Sequence, residues 1–288
     1  MKTETRYRLA RLRGQILGWG IALALLSLLI AQFYGTMLEQ QEQFKELLES
    51  YPKEFTALLG EEMDLATPAG YLSYYIFSLM PIILGIFAVL VGSGSLAGDE
   101  ESGQLDLIMA HPISRVALLG GRLAAFLLAT LAVLALSWLA LYVPTAWTEL
   151  DAGGFELLLP YLSLLGVLAF FGSLALLLSL LLPSRRMTAM AAGILLVGSY
   201  FLDALARIDP DMASLARLSP LYYYQGGQAM ESFNLAWFTG LLAASVLFAL
   251  LAAWRFQRRD VRVGGEGGWR LPRRLLPWRR ALEGGHER

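Results

Sequence analysis

Residues 157–182 read LLLPYLSLLGVLAFFGSLALLLSLLL, with no charged side chain from end to end. A helix crossing the roughly 30 Å of bilayer hydrocarbon needs about 20 mostly apolar residues, and this run supplies them with some to spare. Working outward, the segments 116–144, 72–95 and 14–35 before it, and 187–206 and 233–254 after it, pass the same test. The composition agrees: 56% of the 288 residues are hydrophobic and 16% charged, where a soluble domain carries about 25% charged residues. The reading is an all-α integral membrane protein of six transmembrane helices, because lipid offers the backbone no water and a helix satisfies its own polar groups. The first segment is too long for a signal-peptide core and no small-residue cleavage site follows it, so it is read as a retained helix. There is no cysteine, which excludes disulfides, thiolate chemistry and iron–sulfur clusters.

Lys and Arg, and not net charge, set the orientation of such a chain. Lys2, Arg6, Arg8, Arg11 and Arg13 precede the first span, Arg185 and Arg186 fill the turn between the fourth and fifth, and a long series of arginines from Arg255 follows the sixth. The opposite loops hold only Lys45 and Lys53 in 36–71, none in 145–156, and Arg207 and Arg217 in 207–232. Both termini are therefore expected in the cytoplasm of a multi-pass protein of the inner membrane.

Outside the spans, residues 1–13 alternate basic and apolar side chains, which suits a cytoplasmic interfacial helix or, equally, a bare topology signal. The external loop 36–71 carries Met37, Phe44, Leu48 and Tyr51 at helical spacing, then Pro52 and a second short run ending at Gly60. A helical hairpin is expected there, favoured as a solvated cap over a guard at an exit. Residues 207–232 hold Pro210, Pro220, the consecutive Tyr222, Tyr223 and Tyr224, and the turn-forming Gly226 and Gly227. Broken helices dipping in from the outer side are expected, since irregular backbone survives at membrane depth only where it is buried in protein or lines a cavity. The tail 255–288 mixes Arg with Trp269 and Trp278; directly after a span this favours anionic lipid headgroups over nucleic acid.

The chain has no GxxxxGK[ST] phosphate loop, and the glycines of 92–98 lack the lysine that reaches phosphates, so they suit close helix approach instead. His111 and His286 are far apart with no partners at ligand spacing, which gives neither a zinc set nor the base of a serine nucleophile. No catalytic, cofactor-binding or metal residue is expected. Inside the spans, Arg122 and Asp203 are ionisable, each near a span end where it is expected to reach water. A proton- or sodium-coupled carrier needs deeper charges.

One constellation remains. Residues 92–115, GSGSLAGDEESGQLDLIMAHPISR, place Asp99, Glu100, Glu101 and Asp106 on the expected cytoplasmic side between two spans. Gly103 breaks the backbone, 104–110 are good helix formers, His111 and Pro112 end them, and Ser114 is placed to cap the next span. Leu105, Ile108 and Met109 fall on one helix face. The residues predict a brief amphipathic helix that offers acids and an apolar ridge to the cytosol, or a solvated loop that rests its leucines on the membrane.

The string EESGQLDLIMAHPISR, 100–115, resembles the signature found between the second and third spans of permease subunits of ABC transporters of the type-2 exporter class. The resemblance extends over the six spans, the basic N terminus and the Ser219-Pro220-Leu221 element, nearly the whole chain; it is silent on cargo. It implies a coupling helix seated in a cleft of a separately encoded ATPase, with two permeases, identical or not, and two ATPases forming the working unit. ATP and Mg would be bound by the ATPase. Glu100, Glu101, Gly103, Leu105, Asp106 and Arg115 would then lie at or beside the ATPase contact, with Ile108 and Met109 on the seating face. Pro220, Tyr222, Tyr223, Tyr224 and Gly226 would belong to an external re-entrant element. A mostly apolar path fits a hydrophobic or amphiphilic cargo. Two rivals stay open on the sequence: a channel or ion-coupled carrier, and a membrane enzyme acting on lipid.

Overall fold

In the computed structural model, residues 2–40, 42, 43, 46, 67–110 and 113–258 are described. The expected hairpin of the 36–71 loop, the tail from residue 259, His111, Pro112 and the Asp106 side chain lie outside them. All regular structure among the described residues is helical. Helix α1 runs Lys2–Glu39. A short helix α2, Pro68–Leu72, leads through a π-helical turn, Ser73–Phe77, into α3, Met80–Gly94. Two small helices follow, α4 at Ala97–Glu101 and α5 at Gln104–Met109. The long helices α6, Arg115–Tyr142, α7, Gly154–Leu181, and α8, Arg185–Ile208, come next. A run of 3₁₀ turns around the four-residue helix α9, Ala213–Ala216, then leads to α10, Leu235–Arg258.

Helices α1, α7, α8 and α10, and α6 with the turn that extends it to Ala146, are each long and apolar enough to cross a bilayer. The pair Pro68–Phe77 and Met80–Gly94 passes the test together across a 43° bend, which makes six spans if it crosses as one. The bend has a covalent cause. Pro81 has no N–H, so it cannot donate to the Phe77 carbonyl one turn earlier; the ladder instead loosens into the π turn, where Ser78 N bonds Ser73 O at 2.8 Å. The orphaned Phe77 oxygen accepts from the Tyr224 hydroxyl at 3.0 Å, a partner far away in sequence.

The sequence 157–182 that reads as the most apolar span is also the centre of the bundle. α7 packs against α3, α6, α8 and α10, and 67% of its most apolar window is buried, against 17% for α8 and α10. Small residues permit this, because within lipid helices associate by close packing and not by apolar transfer. A Cβ on Gly92 of α3 would overlap the Gly172 carbonyl of α7, and one on Gly172 would enter the Phe126 ring of α6. Gly166 lies closely against α10, with Phe238 at 3.2 Å and Leu241 at 3.5 Å from a Cβ position, whereas Gly193, in the small-residue run of α8, has no atom within 4 Å of one. Buried hydroxyls join the outer helix to the centre: Ser27 of α1 bonds Ser137 of α6 at 2.9 Å, and Ser137 bonds Tyr161 of α7 at 3.0 Å.

The N-terminal residues differ from the sequence reading. No turn separates 3–13 from the first span; α1 is one helix of 38 residues, about 57 Å long at 1.5 Å per residue. Its first turns therefore extend past the span and lie alongside α4 and the start of α6, where Thr5 donates to Gly121 O at 3.2 Å. The turn before α8 and the end of α10 gather at this same end of the bundle.

Candidate functional site

The loop between α3 and α6 folds as two helical turns hinged at a glycine. Ser95 Oγ bonds Val91 O at 2.7 Å and closes α3. Between α4 and α5, Gly103 has φ +67 with open space around a Cβ position, so the left-handed backbone and not crowding asks for glycine. After α5, Ser114 caps α6 by accepting from Ala117 N at 3.2 Å, in the role its sequence position suggested.

Three attachments hold this loop to the bundle, and a fourth contact fixes the start of α6 where the loop ends. The first is ionic: Asp99, 2% exposed, meets Arg8 and Arg11 of α1 and Arg122 of α6, the last at 2.8 Å. Arg122 also contacts Glu4 at 3.3 Å and donates to Ser95 O, which accepts from Arg8 as well. Isolated charges at this burial would be strongly unfavourable; here each meets an opposite charge and hydrogen-bond partners. Arg11 reaches one residue into α5, bonding Gln104 Oε1 at 3.0 Å. The second attachment is a cap: Glu101 Oε1 accepts from Arg185 N at 2.6 Å, a carboxylate at the N terminus of α8, where the helix dipole favours it. The third is apolar, with Leu105 at 1% exposure packed among Leu118 and Leu119 of α6, Leu176 and Leu180 of α7, and Phe256 of α10, and with Ile108 and Met109 against the same cluster. The fourth is Arg115, which donates to the Phe256 and Gln257 carbonyls at 2.8 and 3.4 Å and sits 5.6 Å from the Phe256 ring, tying the start of α6 to the last turn of α10.

Several expected positions are thereby revised. Arg122 does not reach water from its place near a span end: it is 2% exposed, enclosed by its three partners Glu4, Asp99 and the Ser95 carbonyl. Asp203, the other ionisable residue within the spans, is paired with Arg207 at 2.7 Å. The ridge of Leu105, Ile108 and Met109 turns inward onto the chain's own helices and not outward; the apolar side chain of α5 that faces outward is Leu107, 70% exposed. Glu100 is half-buried and Glu101 exposed. The ionic cluster itself went unread, since Glu4, Arg8 and Arg11 carry only the local look of a basic terminus. Its one sequence signal is a charged residue, Arg122, inside an apolar run that needs a counter-charge.

At the opposite end of the bundle, the 3₁₀ turns Pro220–Tyr223 and Gly226–Met230 are pinned by named bonds. Ser219 donates to Ser199 O at 3.1 Å, and Gln225 N donates to Ser163 Oγ at 2.9 Å. The Gln225 side chain bonds the Asn234 backbone in both directions, closing the turn before α10. Tyr222 and Tyr223 pack around Trp237, with ring centroids 5.6 and 5.8 Å away. Burial, with Tyr161 nearby, pushes the Tyr224 hydroxyl well above the usual tyrosine range, so it stays a donor to Phe77 O. Gly226 has φ +51, and a Cβ on Gly227 would lie 2.5 Å from Ala69 O. A small polar cavity of about 60 Å³ sits beside this element, with Ser73, Tyr200, Asp203, Arg207 and Gln225 among its lining. Among the described residues, no three His, Cys, Asp or Glu side chains converge as a metal site.

The chain matches, over residues 14–261, the family described as ABC-2 family transporter protein. Among curated proteins there is no match. The matched range takes in all the long helices except the first turns of α1, and both elements described above.

Proposed function

The chain belongs to the ABC-2 transporter family, and from that membership we propose that it is the permease subunit of an ATP-driven exporter, working with a second permease and two copies of a separate ATPase. In this reading ATP and Mg are bound by the ATPase, and this chain contributes the membrane path and the surface through which work arrives. Both termini and the α4–α5 loop face the cytoplasm of the cell membrane, by the Lys and Arg distribution; the 210–230 element faces outward. α5 is the coupling helix, with Glu100, Glu101, Asp106 and Leu107 offered to the partner. The cargo is hydrophobic or amphiphilic.

The observation that carries the proposal is the threefold attachment of the α4–α5 loop. A chain that cannot bind ATP must receive displacement through a contact, and a displacement spreads only through groups packed as one body. Asp99 joins the loop to α1 and α6, Glu101 to α8, and Leu105 to α6, α7 and α10. A push on this loop is thus felt by every long helix. Its acids suit a basic cleft, where complementary charge gives specificity and fast association more than affinity. A carrier reading gains nothing from the charges within the spans, since Arg122 and Asp203 are each paired.

The test is co-expression with the partner ATPase that this reading requires. The ATPase is expected to copurify with the wild-type chain and to lose most of that association in E100K/D106K, with the permease still folded and the Glu101 cap on α8 left in place. Undiminished association and transport by this variant would overturn the coupling role of the loop.

A further inference from the structure

Beside the ionic cluster lies a cavity of about 210 Å³ that the export reading leaves unused. Its walls are of two kinds. Arg8, Arg11, Arg122 and Arg185 belong to its lining, and so do the apolar Leu12, Leu90, Val91 and Ala125. Among the described residues Asp99 is the one carboxylate of the lining; Glu4 lies behind it on Arg8 and Arg122, and Glu101 meets the backbone N of Arg185. Asp99 and Glu4 pair with Arg8, Arg11 and Arg122, and neither pairs with the Arg185 side chain. Two guanidinium groups still have donors to give. The Arg185 side chain lies against Gly94 and makes no hydrogen bond or ion pair among the described residues; its backbone N is what Glu101 caps. The buried Arg8 Nε has no hydrogen-bond partner, with Glu4 at 3.6 Å.

The depth of the cavity fits an amphiphile. On α3 the apolar Leu90, exposed on the bundle surface, lies one turn before Gly94, where the helix ends and the basic wall begins. On α1 the order is mirrored, with Arg8 and Arg11 preceding Leu12 and the apolar span. A bilayer sorts side chains in this order at its boundary, with arginine at headgroup level and leucine on the acyl side. Guanidinium groups recognise phosphate oxygens by paired, charge-assisted bonds.

We propose that this cavity binds the phosphate group of an anionic diacyl lipid from the leaflet at the N-terminal end of the bundle, with the Arg185 side chain, unpaired among the described residues, as the principal donor, Arg11, the most exposed guanidinium of the ionic cluster, as the second, and Leu90 against the acyl chains. The bound phosphate gives the Arg185 side chain the anionic partner it lacks among the described residues, and it braces α1 against α3 and α8 beside the α4–α5 loop. This inference stands on the cavity alone and does not require the export reading.

The experiment is native mass spectrometry of delipidated full-length protein titrated separately with phosphatidylglycerol, phosphatidylcholine and inorganic phosphate. Wild type is expected to retain one phosphatidylglycerol at concentrations where phosphatidylcholine does not bind. R11Q/R185Q is expected to weaken phosphatidylglycerol about tenfold or more, R185Q alone by less, and R217Q, at the far end of the bundle, not at all. R185Q guards against misfolding, because its side chain holds no other group in place; its melting temperature is expected to match wild type while its lipid affinity falls. Equal retention of phosphatidylglycerol by wild type and R11Q/R185Q, or equal binding of phosphatidylcholine, would overturn the site. If millimolar inorganic phosphate displaces phosphatidylglycerol, the cavity takes free phosphate and the lipid assignment fails.

Discussion

Replacing Asp99 with Asn removes one negative charge and changes the shape of the side chain little. In the structure that carboxylate faces Arg8, Arg11 and Arg122, and both Asp99 and Arg122 are almost wholly buried. Losing it leaves Glu4 as the remaining acid against three guanidinium groups. Removing one partner of a buried pair costs about 3–5 kcal/mol, most of it the desolvation of the charges left behind. For a chain of this size each kcal/mol moves the melting temperature by about 2–4 °C, so D99N is expected to melt roughly 6–20 °C below wild type in detergent. The exposed control D211N is expected to stay within about 0.5 kcal/mol. A double-mutant cycle sharpens the point: D99N/R122Q is expected to cost less than the sum of D99N and R122Q by about 1–3 kcal/mol, because the two share one network. A D99N protein as stable as wild type, or strictly additive effects in the cycle, would refute the account of how the loop is held.

Two further stability predictions concern the bundle. G172A drives a Cβ into the Phe126 ring and is expected to cost about 1–3 kcal/mol by thermal melting, and less in an F126L background where the site has room. Y224F strands the Phe77 carbonyl that Pro81 cannot serve and is expected to cost about 1–3 kcal/mol. In a P81A background, where the backbone N–H returns, the same change is expected to be nearly neutral, and an unchanged cost would show that Tyr224 acts through another contact.

The span positions were legible because uninterrupted apolar runs leave a chain in lipid few alternatives: the run 157–182 and the helix Gly154–Leu181 nearly coincide. The glycines that α7 uses for close contact, Gly166 and Gly172, carry a local signal too, yet Gly193 carries the same one and faces open space. Composition says that a helix can be approached, not which neighbour approaches it. The periodicity of α5 gave the shared face of Leu105, Ile108 and Met109 but not its direction, which the apolar cluster of α6, α7 and α10 decides. Hidden for the same reason was the sorting of the loop's acids, where Asp99 is spent inside the chain and Glu101 caps α8. Each of those pairings joins residues far apart in sequence, beyond the reach of any local pattern. The basic residues before the first span read as topology alone, although α1 carries them unbroken to Asp99.

The central claim is that the outward side of α5 touches an ATPase. The chain contains no cysteine, so a single introduced thiol gives a cross-link without background. In membranes co-expressing the proposed partner ATPase, L107C, on the outward side of α5, is expected to form a short-linker cross-link to the ATPase. L218C, equally exposed at the other end of the bundle, is expected to form none. Cross-linking from L218C with none from L107C would contradict the account.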